Sequence, residues 1–230
     1  MVERSRTGRT VVFDLDDTLY DEADYVRSGK LAVAALVARL YRVDIAELLL
    51  NEPEDFLQVA CREIPLPDVA KQTLLWTYRL HRPNIALRPG VADLWARLRQ
   101  QGDAICVLTD GRAITQRLKM EALGAVPDGL YVSEDLGAEK PSTVGYRMIE
   151  QAHPADAYIY VADNPKKDFI APLQLGWQTF GMLPRSTSIH QASWTQSEQL
   201  VQPAVWVKDF DELAVQLRAS DLAGGGRSSP

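Results

Sequence analysis

The sequence predicts an α/β fold: a parallel sheet with helices on both faces, and an all-helical segment inserted after the first strand. Three observations carry this. Short apolar runs alternate with helix-like segments from residue 89 to residue 218. Residues 21–81 contain no strand-like run at all. Three of the apolar runs end in aspartate or threonine, at the strand ends where open α/β sheets bind ligands.

The first strand is expected over residues 10–15 (TVVFDL), running straight into a cluster of aspartates. Beyond it, Leu31, Ala35, Val37, Leu40 and Tyr41 recur at helical spacing, and Pro53, Pro65 and Pro67 divide the stretch into four helices. A helix over 91–101, stopped by Gly102, leads to a buried strand at 104–109 (AICVLT). The next helix spans 112–123, with Gly124 just past its end as terminator. Strands follow at 129–132, 157–162 (AYIYVA), 177–182 and 204–207, with helices at 142–152, 168–175 and 209–218. Such alternation requires crossover connections, and therefore a parallel sheet. The polar stretch 184–203 reads as a surface excursion, and 223–230 (AGGGRSSP) as a flexible tail.

Composition narrows the function. Hydrophobic residues make up 46% of the 230 and charged residues 24%, enough apolar material for a sizeable core. A net charge of −6 lacks the basic field of a general nucleic-acid binder. The first ten residues carry three arginines and no apolar run, unlike a secretory signal. No apolar run approaches the roughly 20 residues that cross a bilayer. Cys61 and Cys106 lack metal-ligand spacing and read as buried, reduced thiols. The expectation is a cytoplasmic protein with neither membrane nor nucleic acid as partner; oligomeric state is left open.

The chemistry is concentrated at the strand ends. The first strand runs into Asp14-Leu15-Asp16-Asp17-Thr18 and the second into Thr109-Asp110-Gly111. A later strand runs into Asp163-Asn164, with Asp168 five residues after Asp163, and Lys140-Pro141 lies in the connection before it. Gathering several carboxylates in one crevice is costly unless a cation neutralises them. Hard oxygen ligands favour Mg²⁺, which also suits a phosphorylated substrate. A lone Asp-x-Asp-x-Thr is as often a capped turn; it is all these segments together, in order, that point to a site.

Those segments resemble the haloacid dehalogenase (HAD) superfamily. VVFDLDDTL matches its first motif, Thr109 its second, Lys140 its third, and Asp163 with Asp168 its acidic fourth. The resemblance implies a Rossmann-like core over residues 1–20 and 83–222, a helical cap over 21–82 and a tail over 223–230. It implies that Asp14 is the nucleophile forming an aspartyl-phosphate, and that Asp16 is the general acid and base. Lys140 would offset charge on the transferred group and Asp168 would orient Lys140. Thr109, Asp110, Gly111 and Lys140 would hold the phosphate. Asp14, Asp163 and the backbone carbonyl of Asp16 would bind Mg²⁺, and Thr18 would support the turn.

Relatives that cleave carbon–halogen bonds lack the second aspartate, so Asp16 favours phosphate chemistry. The chain departs from the family pattern at Asp110, where many members carry Asn, and at Ala162, where Gly is usual. The expected activity is a phosphomonoesterase on a small phosphorylated metabolite, a sugar phosphate or a nucleotide. A phosphomutase using the same intermediate and a catalytically silent binding module are the alternatives. Tyr20, Asp21 and Tyr25 are candidates for substrate contact, as are Arg112, Trp76 and Tyr78. Lys166, Lys167 and the three histidines read as solvated or structural, and the tryptophans mostly as core.

Overall fold

The computed structural model describes residues 8–52, 55–64, 66–67, 69–188 and 200–224. Six strands form one sheet: β1 (Arg9–Phe13), β2 (Ala104–Thr109), β3 (Gly129–Val132), β4 (Ala157–Ala162), β5 (Gln178–Met182) and β6 (Val205–Val207). All pair in parallel, in the order β3-β2-β1-β4-β5-β6. The order reverses direction at β1, which leaves the crevice where doubly wound sheets bind ligands beside its carboxyl end.

Both faces of the sheet are covered. On one, Val12, Cys106, Leu108, Tyr160 and Ala162 pack with Tyr146 and Ile149 of α8 (Val144–Ala152). On the other, the Phe13 ring lies 5.7 Å from Trp95 of α5 (Val91–Gln100) and 6.4 Å from Phe210, which opens α10 (Phe210–Gly224). Adjacent residues of one strand thus bury against opposite layers, as the period-two geometry of a strand requires.

The segment after the first strand folds as four helices: α1 (Glu22–Tyr41), α2 (Ala46–Asn51), α3 (Phe56–Glu63) and α4 (Val69–Leu80). They share an apolar cluster that includes Val33, Val37, Leu49, Leu57, Ala60 and Leu74. A Cβ at Gly29 of α1 would run into the Tyr78 ring of α4, so a glycine is needed where these helices meet. The chain divides into two compact units. Of the described residues, one holds those up to Asp21, Leu87–Ala113 and those from Val126 on; the other holds those of Glu22–Ala86 and Ile114–Ala125, which includes most of α6 (Ala113–Leu123).

Several boundaries differ from expectation. β1 ends at Phe13 rather than residue 15, because the chain turns at once: Leu19 N donates to Leu15 O at 2.9 Å and Asp17 takes a φ of 53°. A four-residue helix, α7 (Ser133–Leu136), closes on Gly137 at φ 65° and is too short for any periodicity to announce. The helix expected over 168–175 contracts to α9 (Ile170–Gln174). Conversely α10 runs on through Ala223 and Gly224, where the composition predicts a tail; residues 225–230 lie outside the described residues. So do Pro53, Pro65, His190, Trp194 and most of the expected excursion.

Cys61 and Cys106 are buried free thiols, and burial pushes the Cys106 thiol up to about 12. Trp95 and Trp177 are buried, whereas Trp76 is 40% exposed and is not a core residue. Among the described residues no helix is long and apolar enough to cross a membrane.

Candidate active site

Asp14 is the first residue past β1, and its amide donates to Val161 O of β4 at 2.9 Å. That bond continues the ladder one step beyond the strand. It fixes Asp14 next to Asp163, the first residue past β4. Thr109 closes β2 on the other side of β1. Three neighbouring strands therefore deliver three polar residues to one edge because each apolar run stops at the same level of the sheet.

A buried ion cluster fills that edge. Lys140 Nζ lies 2.6 Å from Asp14 Oδ1 and 2.7 Å from Asp168 Oδ1, with all three residues at most 8% exposed. It also donates to the Tyr160 hydroxyl at 3.1 Å. Asp168 is held from its other side by the Asn164 amide, 3.0 Å from Oδ2, and Tyr146 donates to its carbonyl at 3.2 Å. Oxygens of Asp14, Asp163 and Asp168 all lie within 4.8 Å of one another.

The electrostatics follow from the crowding. Burial pushes the Asp14 carboxyl up to about 7, against the pull of Lys140 and with the push of Asp168. Burial, then the charges of Asp168 and Asp14, drives Asp163 well above the usual carboxylate range. Burial acts against the Lys140 ammonium, but Asp14 and Asp168 overcome it and hold its proton firmly. Three carboxylates against one lysine leave a deficit of positive charge. Asp168 engages Lys140 through Oδ1 and the Asn164 amide through Oδ2, whereas Asp14 meets Lys140 through Oδ1 alone, so Asp14 and Asp163 are the carboxylates that could hold a metal. Two carboxylates completed by water and substrate oxygens fit Mg²⁺.

The rim is also built from charge. Asp110 accepts from the Lys140 amide at 3.0 Å and from Lys167 Nζ at 2.7 Å. Burial works against the Asp110 charge, but Lys140 and Lys167 together hold its carboxyl below the usual range. Gly111, at φ 133°, donates its amide to Ser133 Oγ at 2.9 Å. Arg112 pairs with Glu134 at 2.8 Å. A cavity of about 540 Å³ is lined by Gly111, Arg112, Ser133, Glu134 and Glu139 among others. On the β1 side, Tyr20, fully buried, donates its hydroxyl to Asp16.

A sequence model of one protein family, the haloacid dehalogenase-like hydrolases, matches residues 9–176. The chain belongs to that family. This hydrolase is 27% identical over 195 residues to the glyceraldehyde 3-phosphate phosphatase of Methanocaldococcus jannaschii, covering 75% of this chain and 84% of that protein. Its fold is shared with the HAD-hydrolase YfnB of Bacillus subtilis, solved bound to magnesium. That match has a TM-score of 0.60 at 17% identity and covers 93% of this chain and 99% of the other. The fold is equally shared with the 2-haloacid dehalogenase of Pseudomonas syringae pv. Tomato DC3000, at TM-score 0.61 and 20% identity, over 93% and 99% of the two chains.

Of the residues singled out in the sequence of this hydrolase, Asp14, Lys140, Asp163 and Asp168 meet in the buried cluster, with Asp110 attached through the Lys140 amide. Thr109 is buried, its hydroxyl 3.4 Å from Asp110 O. The Asp16 side chain is engaged by Tyr20 and lies outside the acidic trio. Tyr20 is therefore a partner of Asp16 rather than an exposed reader of substrate. Thr18 is fully buried in the turn, and its hydroxyl has no hydrogen-bond partner among the described residues. Lys167 is no solvated charge but the partner of Asp110.

Sequence reasoning missed Tyr160, Tyr146, Ser133 and Arg88. The tyrosines sit within or beside apolar runs, where a phenol that hydrogen-bonds an ion cluster cannot be told from one that fills a core. Arg88 precedes a Pro-Gly turn and looks like any surface arginine until its burial is seen.

Proposed function

We propose that this hydrolase is a Mg²⁺-dependent phosphomonoesterase acting on a small phosphorylated metabolite. The observation that carries the reading is the pairing of Asp14 with buried Lys140 at a charge-deficient strand edge, with a second carboxylate, Asp16, two residues along. The phosphatase relative supports it. A dehalogenase reading has the shared fold behind it, and Asp16 argues against it, because a departing halide needs no proton.

In this reading Asp14 attacks phosphorus, the bond to the leaving oxygen breaks, and that oxygen takes a proton from Asp16. A water molecule then attacks the aspartyl-phosphate, giving its proton back to Asp16 and releasing phosphate. Lys140, oriented by Asp168 at 2.7 Å, balances charge on the transferred group. Thr109 and the backbone of Asp110 and Gly111 hold phosphate oxygens. Magnesium at Asp14 and Asp163, with the Asp16 carbonyl, would supply the positive charge that the cluster lacks. The helical unit is read as a cap that selects substrate and limits water.

Steady Mg²⁺-dependent release of nitrophenolate from p-nitrophenyl phosphate is expected, together with turnover of members of a sugar-phosphate and nucleotide panel and none of 2-haloacids. Halide release without phosphatase activity would overturn the reading. Transfer of phosphate between positions of one sugar, without net release, would make the chain a mutase.

A further inference from the structure

We infer that Arg88 is a positioning residue for Asp16. The inference rests on the phosphatase reading above, in which Asp16 transfers the proton. Arg88 lies 7% exposed in the sheet unit, just after the chain re-enters it at Leu87. A buried guanidinium is costly unless its charge is met, and here it is met by the loop that carries Asp16. Nε donates to Asp21 Oδ1 at 2.7 Å, Nη2 lies 3.9 Å from Asp17 Oδ1, and the Arg88 amide donates to Leu19 O at 2.8 Å. One residue thus grips the Asp16–Asp21 loop at three points. Asp21 is held in addition by Arg185 at 3.4 Å and Thr187 at 3.2 Å.

What this loop must hold is unusual. Asp17 is a buried non-glycine residue at φ 53°, a left-handed conformation that persists where the surroundings impose it. Asp16 and Tyr20 form a bridge across the turn, and the Tyr20 hydroxyl donates to the Asp16 carboxylate. The chain of support therefore runs from Arg88 through Leu19 O to Tyr20 and Asp16. A guanidinium suits the task because its planar fork reaches two carboxylates at fixed angles, which a lysine ammonium cannot do. Nη2 is buried without a hydrogen-bond partner among the described residues, so the fork acts on Asp17 by charge and on Asp21 by a bond.

A residue that aims the general acid matters most when the leaving group needs a proton. The test compares the first burst of leaving group from an alkyl phosphate and from p-nitrophenyl phosphate, in the wild type, Arg88→Met and Arg88→Lys. The expected loss in Arg88→Met exceeds about tenfold for the alkyl ester, part of the ~10²–10⁴-fold that proton transfer supplies. It is several-fold smaller for the nitrophenyl ester, with KM little changed, and Arg88→Lys falls between. Asp21→Asn, which keeps the shape of the anchor, should give the same leaving-group pattern in weaker form if Arg88→Met does not fold. Equal losses with both esters, or no loss, would overturn the role of Arg88 while leaving the phosphatase reading intact. A wild type inactive on both esters would overturn both.

Discussion

The helical unit centres on an apolar cluster, with Val33, Val37, Leu49 and Leu74 in contact and its Lys71–Asp55 pair left 38% and 56% exposed. The sheet unit buries Asp14, Asp17, Arg88, Lys140, Asp163 and Asp168, each 8% exposed or less. The helical unit also buries Lys30 and Lys119: Lys30 donates to the Glu52 carbonyl, and Lys119 sits 4.4 Å over the Tyr25 ring. Among the described residues it is in the sheet unit that burial, with neighbouring carboxylates adding to it, drives Asp14 and Asp163 above the usual carboxylate range. Folding alone gives no reason for such a cluster, since apolar residues of similar volume would serve stability as well or better. The contrast separates a region selected for packing from one selected for chemistry.

The contrast is sharpest at Asp14. Asp14→Asn should lower phosphatase turnover by ~10³-fold or more, the scale of losing a nucleophile, while its melting temperature without metal stays level or rises. The amide is nearly isosteric and removes one of the crowded charges. A variant that keeps most activity, or that unfolds, would break the comparison.

Lys140→Met should be the most destabilising single change at the cluster. It leaves Asp14, Asp163 and Asp168 without their internal cation, at about 3–5 kcal/mol in chelator. Mg²⁺ should restore part of that, as read by denaturant unfolding with and without the ion. Wild-type stability in chelator would show that Lys140 is not what holds the carboxylates together.

Asp110→Asn should cost about 1–3 kcal/mol at neutral pH, because it takes the charge from a partly buried acceptor of Lys167 and the Lys140 amide. The pH dependence has a definite sign. Asp110 is held below its ordinary value, so its contribution is complete above the unfolded value of about 4. It is lost as pH falls through the folded value, so the gap between wild type and variant should close below pH ~4. A gap constant across that range would mean the loss is one of shape rather than charge.

At the far end of the scale, Lys71→Ala in the helical unit should cost under about 1 kcal/mol, since its pair with Asp55 is exposed. A cost comparable to that of Lys140→Met would erase the distinction between the two regions.

Much of this was legible in the sequence. The apolar runs at 104–109, 129–132 and 157–162 are strands over those residues; the two that lie inside the sheet, β2 and β4, read as apolar runs because a strand covered on both faces needs one. The helical stretch read from Leu31 to Tyr41 is one helix, α1. Asp14 and Asp163 stand out as charges placed where apolar runs stop, Asp168 follows five residues after Asp163, and Lys140, in a connection between strands, is marked only by the family motif. What stayed hidden depends on tertiary direction. Nothing local says that Tyr160 turns its hydroxyl to Lys140, or that Lys167, 57 positions from Asp110, reaches back to it. Arg88 and Asp21 are 67 positions apart with the helical segment between them. The four residues of α7 are too few to show a period, and the extra length of α10 lies where glycine and serine argue for a tail.

The central claim is that Asp14 carries the phosphoryl group. It can be tested directly by quenching the enzyme in acid during turnover of a good phosphoester, reducing with borohydride and mapping peptides by mass. An acyl phosphate on Asp14 would be reduced to the alcohol, so the peptide holding residue 14 should change mass only when substrate and Mg²⁺ are both present. Reduction only of peptides that lack residue 14, or no reduction at all while steady turnover continues, would contradict a phosphoryl group carried on Asp14.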